Sequence, residues 1–319
     1  MKHALVVGAT GFFGRHLAAA LDAAGVDVTA CGRTAGEGPW RQFVALDVRD
    51  AASVRDLLGG TKADVVFWLA GRLRGSDADL AAVNVAPVAN ACAAIARRRE
   101  RPRLVLAGSS AEYGPGTPDA APFHEDSPCA PTMPYGRSKL AATRTALDAA
   151  AKDGIDVRVV RPSNLLGPGL SEELAIGSFV AQLAACKRAD RPFVVRAGEL
   201  TAQRDFLDVE DACRGLVALA SYDGPMRVFN LAADACFPMR TIVDILQHEV
   251  AAPVEVLRDA ERVRESTTDR VAITAAAAGR ELGFRRHVSL RESIARMWLG
   301  ATAGGQPAEP ASLQAGFAS

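Results

Sequence analysis

The stretch Ala4-Leu5-Val6-Val7-Gly8-Ala9-Thr10-Gly11-Phe12-Phe13-Gly14-Arg15 decides the fold. Its apolar opening, over 3–8, reads as a buried strand, and an Ala-rich helical period follows over 12–24. Three glycines stand at the turn between them. Such a turn needs one glycine for its tightness, one to let the backbone approach a pyrophosphate and one to let helix and strand pack closely. The helix N-terminus then offers free N–H groups and a favourable dipole to phosphates. Gly8, Thr10, Gly11, Phe12, Phe13 and Gly14 are therefore expected to cradle a dinucleotide, and the strand-to-helix context gives the spacing its weight.

Working outward, Val- and Leu-rich runs at 27–31, 42–46, 63–69, 103–107 and 156–160 alternate with helical patterns at 51–58, 79–99 and 135–152. Strands without polar alternation fit a parallel sheet covered on both faces and joined by right-handed crossovers. The expected fold class is α/β, a Rossmann doubly wound parallel sheet. Beyond Gly167 the pattern loosens into helices at 171–187, 209–221, 239–250 and 289–299, with apolar runs at 193–195 and 227–231. The expected division is an NAD(P)-binding Rossmann domain over 1–165, with 206–232 returning to it. A smaller mixed α/β substrate cap over 166–300 and a mobile tail over 301–319 complete it.

Composition narrows the class. Lys plus Arg and Asp plus Glu each count 37, so the chain lacks the basic footprint of a nucleic-acid binder. No uninterrupted apolar run reaches 18 residues, and the N-terminus passes from Met1-Lys2-His3 straight into the first strand, so neither a membrane span nor a signal peptide is expected. Cys31, Cys92, Cys129, Cys186, Cys213 and Cys236 are scattered without Cys-x-x-Cys spacing. They read as reduced packing residues in a cytoplasmic protein, with no metal site.

The end of the second strand selects the cofactor. NAD sites commonly place an acid there for the ribose hydroxyls. This chain has Cys31-Gly32-Arg33 instead, and Arg33, assisted by Arg15, suits a 2′-phosphate, so NADP(H) is expected over NAD(H). Asp47, in Leu46-Asp47-Val48, is placed to accept a hydrogen bond from an adenine amino group, while Asp50 is the better helix cap.

Tyr135-Gly136-Arg137-Ser138-Lys139 begins a helix after Pro134. Residues four apart share a helical face, so Tyr135 and Lys139 can point together at the cofactor. A free tyrosine is too weak an acid for proton transfer near neutrality, and a nearby ammonium stabilises its phenolate. Ser110, after the buried run Leu104-Val105-Leu106-Ala107, supplies a hydroxyl at the carboxyl edge of the sheet, where ligands of such folds bind.

These residues resemble the extended short-chain dehydrogenase/reductases, the NAD-dependent epimerase/dehydratase family that acts on nucleotide sugars. The resemblance covers 1 to about 299 and rests on Gly8 to Gly14, Asp47, Leu69-Ala70, Asn84-Val85, Ser109-Ser110-Ala111-Glu112-Tyr113-Gly114, Tyr135 to Lys139 and Arg161-Pro162-Ser163-Asn164. It implies Ser110, Tyr135 and Lys139 as the catalytic set, supported by Asn84, and cofactor contacts from Val48, Leu69, Ala70, Gly71, Lys139 and Pro162. Gly167-Pro168-Gly169-Leu170-Ser171 and the stretch from Gly198 to Val209, which includes Gln203-Arg204-Asp205-Phe206, look most like the GDP-6-deoxy-4-keto-mannose reductases. By that likeness Asn164, Arg204 and Arg264 hold the nucleotide diphosphate of a sugar substrate beside Ser110 and Tyr135, and guanidinium forks suit phosphate oxygens. Relatives commonly pair as homodimers through two long helices, here 79–99 and 135–152.

Three reactions share this scaffold. A reductase delivers hydride from NADPH to a 4-keto-6-deoxy sugar while Tyr135 gives the proton. A 4-epimerase or 4,6-dehydratase is redox-neutral over the cycle, and dehydration needs a further acid–base group. Glu112 is the candidate, with a charge at the cleft rim as its plainer reading. Many dehydratases carry an Asp before that Glu, where this chain has Ala111. The apparent NADPH signature favours the reductase. A non-catalytic dinucleotide sensor on the same fold is the remaining class, opposed by the intact Tyr135–Lys139 pair.

Overall fold

In the computed structural model, residues 1–117, 119–260 and 270–303 are described. The chain opens β1 (His3–Val7), α1 (Phe12–Ala23), β2 (Asp27–Gly32), β3 (Gln42–Ala45), α2 (Ala51–Gly60) and β4 (Val65–Trp68). A helical run follows as α3 (Asp77–Leu80), a π-helical turn (Ala81–Val85) and α4 (Ala86–Ala96). Next come β5 (Arg103–Ala107), a 3₁₀ turn (Ser110–Glu112), α5 (Pro134–Asp153), β6 (Val157–Pro162) and β7 (Asn164–Leu166). The remainder is α6 (Ala175–Arg188), β8 (Phe193–Ala197), β9 (Gln203–Asp208), α7 (Val209–Ala220), β10 (Val228–Leu231), β11 (Cys236–Pro238), α8 (Met239–Val250), β12 (Val254–Arg258), β13 (Arg270–Val271), α9 (Ala276–Leu282) and α10 (Leu290–Thr302).

Seven parallel strands form the main sheet in the order β10-β6-β5-β4-β1-β2-β3. The order reverses beside β1, which opens the crevice where doubly wound sheets bind ligands. The fold is thus the expected α/β Rossmann type. All four residues of β4, Val-Val-Phe-Trp, are buried because helices cover both faces. Leu17 and Leu21 of α1 pack with Leu216 and Leu219 of α7 on one face, and Val54, Ile95 and Ala146 of α2, α4 and α5 pack on the other. Truncating such a buried leucine costs about 2–5 kcal/mol. A third cluster, with Phe179, Leu246, Ile294 and Trp298, joins α6, α8 and α10 around β8.

Asp77–Ala96 is long and apolar enough to cross a membrane by length and composition alone. Its buried positions here, among them Leu80, Val88, Ala91 and Ile95, lie within the protein core.

Several short strands depart from the expectation. β7, β9, β11, β12 and β13 were not expected, because none shows a clean apolar alternation. β9, Gln-Arg-Asp-Phe-Leu-Asp, buries two carboxylates. Asp205 accepts from the N–H groups of Ala233 and Ala235, and Asp208 from Arg296 and the N–H of Glu210. Charges paired in this way can sit inside a fold yet read as loop in sequence. At the C-terminus α10 continues through Thr302, past the expected start of the tail, and 304–319 lies outside the described residues.

Candidate active site

The turn after β1 sorts its glycines by task. A Cβ on Gly8, where φ is +91°, would stand 2.7 Å from Ala70 N, and one on Gly14 would stand 2.1 Å from Gly8 O. These two let helix and strand close on each other. A Cβ on Gly11 would meet only Gly8 O, at 3.3 Å, so that glycine leaves its outer side open. The first turn of α1 carries no side-chain cap, which leaves its N–H groups available to an anion.

A cleft of about 420 Å³ lies above this turn. It gathers Gly8, Thr10 and Gly11 with Arg33, Asp47 and Val48 from the ends of β2 and β3, and with Leu69, Ala70 and Gly71 after β4. Phe12, Phe13, Gly14, Asn84 and Pro162 are not in its wall. Phe12 packs edge-on against His16, Phe13 packs on the core, and Pro162 ends β6 opposite Leu231. Open backbone, an uncapped helix end and basic side chains fit a pyrophosphate-containing dinucleotide.

Two basic residues in this wall, Arg49 and Arg72, were not singled out in the sequence. Arg49 grips Asp47 from both carboxylate oxygens, Nε at 3.0 and 3.1 Å and Nη2 at 2.5 Å. Hydrogen bonding from Arg49 holds the Asp47 carboxyl at about 2. The expected adenine acceptor therefore already has a cationic partner, and its charge is offset. Arg15 turns its Nε to the Thr10 carbonyl at 3.1 Å.

Asn84 sits on the π-helical turn, which rotates it inward, and it is buried. Its Oδ1 accepts from Arg72 N at 2.7 Å, and its Nδ2 donates to Arg72 O and Ser138 Oγ, both at 2.9 Å. One amide thus ties the loop after β4 to α5. Single π-turns recur at functional sites for this kind of reorientation.

Pro134 starts α5 with its fixed φ, which places Tyr135 and Lys139 one turn apart on the inner face. A Cβ on Gly136 would lie 2.4 Å from Ala111 O, so this glycine lets α5 close on the 3₁₀ turn. The Lys139 ammonium donates to the Ala107 carbonyl at the end of β5. Burial lowers its pKa to about 8, with the nearby Glu112 charge opposing. Burial raises the half-buried Tyr135 phenol above its ordinary value, a hydrogen bond from Ser109 lowers it, and Glu112 raises it further.

The hydroxyl that meets Tyr135 is therefore that of Ser109, one residue before the Ser110 expected from the sequence. Ser109 is the last extended residue after β5 (φ −166°, ψ 148°) and N-caps the 3₁₀ turn, its Oγ accepting from Ala111 N at 3.1 Å. Ser110 is the first residue inside that turn, and it is buried.

Glu112 corrects the sequence reading more sharply. It is not at a rim: its exposure is 0%. Oε1 accepts from Ser109 N and from Thr143 Oγ1, each at 3.0 Å, and Oε2 accepts from Arg161 Nε at 2.9 Å. A Cβ on Gly108 would come within 2.4 Å of Oε1, so the glycine makes room for the carboxylate. Arg161 also donates to Tyr113 Oη at 3.1 Å and to the Glu125 carbonyl at 3.2 Å, and Tyr113 donates to Asn230 Oδ1 at 2.7 Å. No solvent-facing oxygen is left for an acid–base role on substrate.

Asn164 and Arg204 come to neighbouring strands, β7 and β9. Asn164 Nδ2 donates to the Asp205 carbonyl at 2.9 Å, and Arg204 Nη1 donates to the Gln203 carbonyl at 2.7 Å. Arg264 lies outside the described residues.

Residues 4–232 match the profile of the NAD dependent epimerase/dehydratase family. The chain is 31% identical over 298 residues to the dTDP-6-deoxy-L-talose 4-dehydrogenase (NAD(P)(+)) of Kitasatospora kifunensis, covering 92% of this chain and 93% of that one. It is 28% identical over 297 residues to the GDP-6-deoxy-D-mannose reductase of Pseudomonas aeruginosa, covering 91% and 93%. The structure of RMD from Pseudomonas aeruginosa complexed with NADPH superimposes with a TM-score of 0.83 at 25% identity, covering 95% of this chain and 99% of that one.

Proposed function

Since the chain belongs to the NAD-dependent epimerase/dehydratase family and is an NAD(P)-dependent enzyme of the extended short-chain dehydrogenase type, we propose that it reduces a nucleotide-linked 4-keto-6-deoxy sugar with NADPH. The observation that carries this reading is Arg33 in the cleft wall at the end of β2, with the nearest acid of that wall, Asp47, already held by Arg49. That end of the cleft suits a 2′-phosphate better than the free ribose hydroxyls of NAD. The names of the two relatives, one a reductase and one a dehydrogenase of 6-deoxy sugar nucleotides, support the same chemistry. The burial of Glu112 argues against dehydration, which needs a further acid–base group.

In this reading the first turn of α1, Thr10 and Gly11 hold the pyrophosphate, Arg33 holds the 2′-phosphate, and Leu69 to Gly71 pack on the cofactor under the Asn84 clamp. The bound cofactor supplies hydride. Ser109 hydrogen-bonds the substrate oxygen, and Tyr135 delivers a proton to it as the alkoxide forms. Lys139 places a positive charge beside the phenol and eases that transfer. Asn164 of β7 and Arg204 of β9 bind the nucleotide diphosphate. Two copies pair through the outward faces of α4 and α5, which sedimentation at the monomer mass would contradict.

The test is stoichiometric loss of NADPH absorbance against a panel of dTDP-, GDP- and UDP-linked 4-keto-6-deoxy sugars. Oxidation with one member is expected. Tight NADPH binding with no oxidation by any member would replace this reading with a redox-neutral epimerase.

A further inference from the structure

The buried carboxylate of Glu112 is no acid for the substrate, yet its hydrogen bonds run to the turn and the helix that carry the reacting set. It receives the N–H of Ser109, whose hydroxyl meets Tyr135. It receives Thr143 Oγ1 from one turn beyond Lys139 on α5. It is paired with Arg161 of β6. The ionisable groups facing it are Tyr135 and Lys139 from α5, Arg161 from β6, Tyr113 beside it in the chain, and Cys129 from the loop that precedes α5. Glu125, from the same loop, lies behind Arg161 and gives it a carbonyl.

We infer that Glu112 is a positioning residue that fixes Ser109 against Tyr135 and sets a buried carboxylate near the Tyr135–Lys139 pair, biasing Tyr135 toward its protonated, proton-donating form. The inference rests on Tyr135 as the proton donor and gives that reading a direction. A carboxylate near a phenol disfavours the phenolate, and the same charge favours the ammonium of Lys139. The first bias keeps a proton on Tyr135 for a new alkoxide, and the ammonium steadies the phenolate left once that proton is given. Burial keeps the effect unscreened by salt.

The experiment is a tyrosinate difference titration, because the chain has only three tyrosines. Wild type minus Tyr135→Phe isolates the ionisation of Tyr135, and the same pair is measured in a Glu112→Gln background. Removing the charge is expected to lower the Tyr135 midpoint by about one pH unit, the size of a single close charge. Glu112→Asp, which keeps the charge, is expected to restore it. Should Glu112→Gln alone fail to fold because it leaves the Arg161 charge buried without its partner, the midpoint is compared between Arg161→Met and Glu112→Gln/Arg161→Met, which differ only in the Glu112 charge and carry the same expectation. A Tyr135 midpoint unmoved in the folded variant overturns the inference. The titration needs no substrate, so a failed sugar panel would refute the reductase reading while leaving this coupling separately measured.

Discussion

The Tyr135 side chain meets Ser109 at the carboxyl edge of β5, where Ser109 Oγ is already held by the Ala111 N–H. The one proton of the Ser109 hydroxyl is donated toward the phenol oxygen, the bond that lowers the Tyr135 value. Ser109→Ala is expected to lower kcat by about 100-fold with NADPH binding intact, the scale for losing one donor at a developing charge. Ser110→Ala is expected to leave kcat near wild type. Steady-state kinetics with NADPH titrations on both variants check the assignment, and the reverse ranking would return the role to Ser110.

Arg33 stands in the cleft wall while Asp47 is engaged by Arg49. Arg33→Ala should weaken NADPH by about 10- to 100-fold, the loss of one or two charge-assisted hydrogen bonds, with the NADH constant unchanged. Fluorescence titration of both cofactors reads this directly. Equal weakening of the two would remove Arg33 from cofactor selection.

Lys139 links catalysis to stability. Its value falls from the ordinary 10.5 to about 8 on burial. Between these two values the unfolded chain holds a proton that the folded chain has released, so stability rises as pH climbs through that window. Below about pH 8 both states hold the proton, and burying the charge costs about 3 kcal/mol. Lys139→Met is therefore expected to abolish turnover and yet raise the melting temperature at pH 7, a gain that shrinks toward pH 10. Scanning calorimetry across that range checks the sign.

Gly136 lets α5 approach the Ser110–Glu112 turn, and a methyl group there would stand 2.4 Å from a backbone carbonyl. Gly136→Ala is expected to cost about 1–3 kcal/mol through overpacking. It should also lower kcat, because the shift moves Tyr135 away from Ser109. A thermal melt and kinetics on the same preparation test both halves.

The glycine turn was legible in the sequence because its demands are local: residues 8 to 14 must turn, open and pack within a few ångströms. The pairing of Tyr135 with Lys139 was legible for the same reason, both being set by one helical turn. The choice between Ser109 and Ser110 was not, since it depends on which residue ends β5 and which starts the 3₁₀ turn. Glu112 was misread because its fate is decided by Arg161, on β6, and Thr143, on α5, neither adjacent in the chain. Arg49 carried a signal, two residues after Asp47, that a search for charges near the adenine acceptor would have found. β9 escaped because its buried Asp205 is satisfied by distant backbone groups.

The most direct measurement follows the hydrogen. NADPH deuterated at the transferred position is given to the enzyme with each nucleotide-linked sugar of the panel, and any product is read by mass spectrometry and proton NMR. Net reduction places one deuterium on C4 of the sugar and leaves one equivalent of oxidised cofactor per product. A product formed without deuterium and without cofactor consumption would contradict it, and would make the enzyme a redox-neutral member of its family.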